Sequence, residues 1–543
     1  MSNAYFKIEK PENEPTLTYR KDSPEKKEVK EKLKELKKEV TEIPLIIGGE
    51  EIRTGNMEKR TSPEDHNLLL AKYHQAGPKE VEKAIEASLE AKDKWADMPW
   101  EERAAIFLKA ADLIAGPYRA TINAATMLGQ GKNIHQAEID AACELIDFLR
   151  FNVYFMSEIM KEQPYSPDNT WNRMEYRPLD GFVFAVTPFN FTAIAGNLPT
   201  APAMVGNTVI WKPASSAVYS AYLFMKILEE AGLPKGVINF LPGSGAEIGE
   251  KILPHRDLAG IHFTGSTKTF QYMWETVGKN IAGYRNYPRI VGETGGKDFV
   301  VVHPSADIKP IPTALVRGAF EYQGQKCSAA SRAYIPKSLW GDLKEEFIKL
   351  TKELKVGSTE DFRNFINPVI DRDAYDRIVS YIEDARNSDE AAILLGGTYD
   401  DTKGFFVDPT IIETANPRFK TMVEEIFGPV ITIYVYEDEK FEEILRECDE
   451  ATPYALTGSI FAKDQKAVMQ AQEILKQAAG NFYINDKPTG SVVNQQPFGG
   501  ARGSGTNDKA GSKFNMQRWM SPRAIKETYI AATDYRYPFM EEE

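Results

Sequence analysis

A chain of 543 residues has room for two or three domains, and its 42% hydrophobic content rules out general disorder. The net charge of −13 leaves a nucleic-acid partner without electrostatic support. Three scattered cysteines (143, 327, 448) form no CxxC pair and six histidines show no HExxH spacing, which argues against a disulfide framework and a zinc site. No apolar run has the length of a membrane span.

Residues 1–22 are polar and proline-bearing and read as an extended arm with neither signal- nor transit-peptide character. The stretch 23–40 opens with Ser23 and Pro24, a helix cap and first-turn proline, and interleaved Lys and Glu predict a solvated helix face. Helical spacing continues over 78–98, 101–115 and 137–160, the last a long amphipathic helix. From 181 the texture changes. FVFAVT (182–187), NTVIWKP (207–213), GVINFLP (236–242) and GIHFTG (260–265) read as buried strands, with helices over 216–232 and 266–281. Strands recurring with helical crossovers predict an α/β fold with a parallel, doubly wound sheet, and ligands in such sheets bind at the carboxyl ends of the strands. A second series follows: strands at 298–302, 391–397, 429–436, 458–462 and 481–485, and helices over 338–354 and 464–479. These predict a second α/β domain.

Two residues carry the chemistry. Cys327 lies in GQKCSAAS, where small neighbours leave room for a substrate carbon at the sulfur, and Glu293 lies among glycines in VGETGGKD, at the junction of the two series. A thiol nucleophile with a glycine-framed carboxylate suits covalent chemistry at a carbonyl: the thiolate attacks and the carboxylate activates water. Each has a plainer reading, a small buried cysteine and a carboxylate satisfied by backbone N–H groups. The loops GSGAEIG (243–249) and FTGS (263–266) could cradle a pyrophosphate at a helix start, though each is a weak signal alone.

In chain order stand TPFNF (187–191), WKP (211–213), FTGS (263–266), GETGGK (292–297), GQKCS (324–328), EEIFGP (424–429) and PFGG (497–500). This order resembles the aldehyde dehydrogenase superfamily over nearly the whole chain. FNFTAIAGNLPTAPAMVGN, FEYQGQKCSAASR and the block 478–509 are similar to its Δ1-pyrroline-5-carboxylate (glutamate-γ-semialdehyde) dehydrogenase family, whose members serve proline breakdown.

The resemblance implies two doubly wound α/β domains, one binding cofactor and one catalytic, with a β-hairpin oligomerisation flap. It divides the chain into an arm and helical part of the NAD-binding domain (1–160), a first flap segment (161–180), the Rossmann-like part (181–295), the catalytic domain (296–505) and a tail with the second flap segment (506–543). It implies Cys327 as nucleophile, Glu293 as general base and Asn190 as oxyanion-stabilising amide. It implies NAD as cofactor, held by Thr187, Lys212, Gly265, Ser266, Thr267, Glu425 and Phe427, with no metal. Many NAD-specific relatives carry Glu three positions after that lysine, where this chain has Ser215. For the substrate it implies Ser328, Gly490 and Ser491 at the α-carboxylate, Phe191 and Phe498 around the aliphatic chain, and Glu144 near the α-ammonium.

The implied reaction is oxidation of L-glutamate γ-semialdehyde to L-glutamate by a homodimer or higher oligomer. Transient contact with a proline dehydrogenase is an expectation, and the length leaves no room for that enzyme's own flavin-binding barrel. Without a transit peptide the expected compartment is a bacterial cytoplasm, or the mitochondrial matrix for a mature eukaryotic chain. Besides an aldehyde dehydrogenase for a different acid semialdehyde, two rivals stand beside this reading: an acylating relative that passes the thioester to coenzyme A, and a catalytically silent, structural or binding protein on the same scaffold. Retention of Glu293 argues against the first, and of Cys327, Glu293 and Asn190 together against the second.

Overall fold

The computed structural model describes residue 4 and residues 6–541. Its frame is a pair of seven-stranded sheets. In the first, five parallel strands run in the spatial order Arg289–Glu293, Leu258–Thr264, Phe182–Val186, Thr208–Lys212, Ile238–Phe240. Leu45–Ile47 and Glu50–Ile52 extend the last edge in antiparallel sense. Near-continuous runs of Val, Ile and Phe make these strands, because helices cover both faces and little polar alternation is needed. The chain order reverses between Phe182–Val186 and Leu258–Thr264, which opens a crevice at their carboxyl ends.

The second sheet runs Ala391–Leu395, Thr410–Thr414, Val430–Tyr436, Ala330–Pro336, Asp298–Val302, Thr457–Phe461, Asn481–Ile484. All neighbours are parallel except the first pair. The two sheets are joined directly. Glu293 ends the last strand of the first and Asp298 begins a central strand of the second. The carboxyl edge of one sheet therefore meets the amino edge of the other, and the segment holding Cys327 enters that junction just before Ala330–Pro336.

Thr170–Pro178 pairs antiparallel with Met520–Thr528 over nine residues, a two-stranded ribbon standing off the body. Residues 1–160 hold more than the expected helices. Strands at Thr41–Ile43, Met57–Ser62 and Asp65–His74 form a small sheet of their own. The helix expected over 137–160 is also interrupted. Glu138–Glu144 is a π segment, and regular helix resumes at Leu145–Met160. Such bulges turn side chains off the regular stripe and recur at functional sites. Here Asp140 leaves its helix to accept from Thr192 N at 2.9 Å and Ala193 N at 2.8 Å, capping the helix Thr192–Met204. The expected helices over 23–40 and 464–479 are shorter, ending at Leu36 and Ile474.

Candidate active site

The loop before Cys327 is held in strain. Tyr322, Gln323 and Gly324 have φ of 52°, 56° and 64°, a left-handed run that costs about 1–3 kcal/mol per non-glycine residue. Neighbours over-determine it. The Tyr322 hydroxyl donates to Gln130 O at 3.1 Å, and Gln323 Nε2 donates to Gly131 O at 2.9 Å and Pro368 O at 2.8 Å. Gly324 is required, since a Cβ there would run into the Gly428 carbonyl. Gly296 is required likewise, since its Cβ would strike the carbonyl oxygen of Cys327. The glycines of GETGGK thus let the base-bearing strand approach the thiol loop.

A cavity of about 680 Å³ opens at the junction. Cys327, Glu293, Ser328, Gly490, Ser491, Phe498, Phe191 and Glu144 all line it. Eight positions from five separate stretches of sequence therefore face one space. Ser328 Oγ shares a 2.7 Å hydrogen bond with Thr489 Oγ1, and Gly490 turns the chain with φ of 97°. Beside them are the cations Lys326 and Lys487; Lys326 is buried and pairs with Glu321 at 3.1 Å.

Asn190 is buried but does not line this cavity. Its Nδ2 donates to Gln325 O at 3.1 Å, which ties the TPFNF loop to the segment two residues before Cys327.

The electrostatics are dominated by burial. Burial pushes the Cys327 thiol well up, and the carboxylates Asp298, Glu293 and Glu425 add to it. Burial also raises Glu293, against the opposing pull of the Gly500 N–H, which donates to Oε2 at 3.1 Å, and of Lys509. Glu144 is pushed up to about 8, first by burial and then by Asp140. Burial thus favours the protonated form of each of these carboxyls.

The remaining expected residues gather at the crevice of the first sheet. Thr187 follows Phe182–Val186 and accepts from Trp211 Nε1 at 3.0 Å. Lys212 ends its strand with the ammonium against Gly245, at the start of the helix Gly245–Ile252. Burial alone lowers it to about 8, with no carboxylate compensating. Gly265 and Ser266 lead into the helix Thr267–Lys279, and Ser266 Oγ accepts from Thr269 N at 3.2 Å as its cap. Thr267 Oγ1 accepts from Gly295 N at 3.4 Å, while Glu425 Oε1 accepts from Gly296 N at 2.9 Å. One glycine strap therefore brings Thr267 and Glu425 together beside Cys327. Phe427, with φ of 58°, sets its ring edge-on to Phe189 at 5.8 Å. A buried ammonium and two helix starts as donors, with an acid at the crevice mouth as acceptor, fit the pyrophosphate and ribose hydroxyls of a dinucleotide.

Three further residues in or beside this site are given no role by the sequence reading. Lys132 is fully buried and donates to Asp140 Oδ2 at 2.6 Å. Thr489 shares the Ser328 hydrogen bond. Lys326 was visible only as a neighbour of Cys327.

Residues 53–525 match the aldehyde dehydrogenase family. A Dictyostelium discoideum protein named mitochondrial Δ1-pyrroline-5-carboxylate dehydrogenase is 53% identical over 538 residues, 98% of this chain and 96% of that one. The Δ-pyrroline-5-carboxylate dehydrogenase of Mycobacterium tuberculosis, solved bound with NAD, superposes with a TM-score of 0.96 at 50% identity, covering 100% of both chains. Proline utilization A from Bdellovibrio bacteriovorus gives a TM-score of 0.90 at 31% identity, covering 96% of this chain and 53% of that one. By family match, by identity over nearly the whole chain and by fold, the chain belongs to the aldehyde dehydrogenase family, in its Δ1-pyrroline-5-carboxylate dehydrogenase branch.

Proposed function

We propose that the chain oxidises L-glutamate γ-semialdehyde, the ring-opened form of Δ1-pyrroline-5-carboxylate, to L-glutamate with NAD, in proline breakdown. The observation that carries this is the single cavity in which a thiol and a carboxylate face a hydroxyl-and-amide anchor. A two-ended substrate needs both: an aldehyde at the sulfur, and a carboxylate for Ser328, Ser491 and the Gly490 N–H to hold.

NAD, when bound along Thr187, Lys212, Gly265, Ser266, Thr267, Glu425 and Phe427, supplies the hydride acceptor. The protein's own residues do the rest. Cys327 sulfur bonds to the aldehyde carbon, the carbonyl π pair moves onto oxygen, and the S–H proton passes to solvent. Asn190, buried behind the cavity wall and donating to Gln325 O, is proposed to meet the oxyanion with its remaining amide hydrogen. Once hydride has gone, the acyl group remains on sulfur as a thioester. Glu293, ionised, takes a proton from water as that water attacks, and glutamate is released with the thiol restored. Phe191 and Phe498 exclude water from the carbon chain, and Glu144 accepts from the α-ammonium.

The second reading, transfer of the thioester to coenzyme A, is disfavoured by Glu293 lining the cavity. The test is NADH absorbance on adding pyrroline-5-carboxylate to the purified protein, with Cys327→Ala as control. Turnover by Cys327→Ala would overturn the covalent route.

The assembly we propose is a homodimer through the ribbon Thr170–Pro178 and Met520–Thr528. Exposed Trp171 lies on it, and exposed Tyr529, Ile530, Tyr535 and Phe539 follow it in the tail, large apolar side chains suited to an interface. Light scattering on a chromatographic peak reads the mass directly. Contact with a proline dehydrogenase is supported by the likeness to proline utilization A. Three unpaired cysteines favour a reducing compartment, and no described helix is long and apolar enough to cross a membrane.

A further inference from the structure

We infer that Asn13 is a positioning residue for the substrate cavity: it clamps the loop after Ser491 to the helix after Glu144, and so sets the gap that receives the amino-acid end of the semialdehyde. The inference rests on the functional reading above.

The arm around Asn13 precedes the segment matched by the family, 53–525, and so lies outside the general aldehyde dehydrogenase body. It has no helix or strand between residues 6 and 20, yet Asn13, Glu14 and Thr16 line the same cavity as Cys327 and Ser491. The Asn13 amide is used on three sides. Nδ2 donates to Asp147 Oδ2 at 2.7 Å and to Val493 O at 3.0 Å, and Oδ1 accepts from Gln495 Nε2 at 3.0 Å. The other Asp147 oxygen accepts from Glu14 N at 2.8 Å.

The placement of these partners gives the clamp its meaning. Asp147 stands one turn beyond Glu144 on a continuous helical run, and Val493 stands two residues beyond Ser491. One side chain therefore joins the two walls next to the groups proposed to hold the α-ammonium and the α-carboxylate.

The arm presents Asn13 firmly despite lacking regular structure. Glu14 pairs with Arg119 at 2.5 Å and with Arg150 at 2.7 Å. Glu138, from the π segment, accepts from Leu17 N at 2.8 Å and from the Tyr19 hydroxyl at 2.7 Å. Asn13 is proposed to touch no reacting atom. Its effect is on the spacing of groups that do, and small misplacements of such groups are costly. A substrate that spans both walls feels that spacing; an aldehyde lacking the amino-acid end does not.

The test uses the full chain carrying Asn13→Ala, with saturating NAD. The KM for glutamate semialdehyde and the inhibition constant of L-glutamate should rise together by about tenfold, with kcat changing less than about twofold. The kcat/KM for propanal should also stay within about twofold. Gln495→Ala, which removes one of the three bonds, should shift the same two constants in the same direction by less. It decides the matter if Asn13→Ala does not fold. Unchanged KM and inhibition constant in the folded variants, or an equal loss on propanal, would overturn the clamp. A wild-type protein that shows no preference for the semialdehyde over propanal would overturn the functional reading and the clamp together. Preference in the wild type, kept in Asn13→Ala, overturns the clamp alone.

Discussion

The ammonium of Lys132 lies 4.0 Å from the centre of the Phe191 ring, so a buried charge fixes one of the aromatics proposed to hold the substrate chain. The same ammonium is 4.4 Å from the Tyr322 ring in the nucleophile loop. Asp140 compensates it and also caps the helix that starts after Phe191.

Asp140→Ala should therefore be strongly destabilising. It leaves Lys132 uncompensated and two helix N–H groups bare, and breaking a buried pair costs about 3–5 kcal/mol. Urea unfolding would register this as a lower midpoint. A midpoint within experimental error of wild type would show that Lys132 is compensated from elsewhere.

Glu293→Gln should stop the reaction after hydride transfer. Rapid mixing should give one NADH per site, followed by a trapped acyl-enzyme of increased mass. Because burial raises the Glu293 carboxyl, and only its ionised form can accept a proton, thioester hydrolysis in the wild type should quicken as pH rises. Normal turnover by the variant would assign the base elsewhere.

Replacing Ser328 and Ser491 together by alanine should separate substrates. Each lost hydrogen bond to a charged group costs about 1.5–3 kcal/mol, so the preference for glutamate semialdehyde over propanal should fall by at least ~10². L-Glutamate should inhibit the wild type and lose that grip in the variant. Retained preference would move the carboxylate anchor to other groups, with Lys326 and Lys487 the nearest cations.

Cofactor affinity should depend on Lys212. Its folded pKa is lowered to about 8, so the ammonium is present below that pH and lost above it. The dissociation constant for NAD should therefore weaken as pH climbs past about 8, and Lys212→Met should bind weakly with a flat profile over the same range. Isothermal titration across that window checks both; a pH-independent wild type would remove Lys212 from cofactor binding.

Legibility in the sequence followed the range of the forces involved. The strands Phe182–Val186, Thr208–Lys212 and Leu258–Thr264 announce themselves because β-branched and aromatic runs need only local reading. The helix Thr192–Met204 does not. It holds Pro199 and Pro202, which normally break a helix, and its cap, Asp140, comes from 52 residues away. Cys327 and Glu293 were readable from their small neighbours, whereas Glu144 and the serine anchor came only from resemblance. Lys132, in GQGKN, reads as part of a loop, and nothing in a polar arm marks Asn13 as facing a cavity.

The arm's bonds to the 493–495 loop join residues 480 and 482 positions apart. A nascent chain that has just released Glu293 and Cys327 from the ribosome has the reactive groups but neither Ser491 nor the loop that Asn13 grips. The pocket is therefore completed only after the segment 490–498 has emerged. Chains that stop before Ser491 carry the Cys327 thiol without the loop that closes the cavity around it.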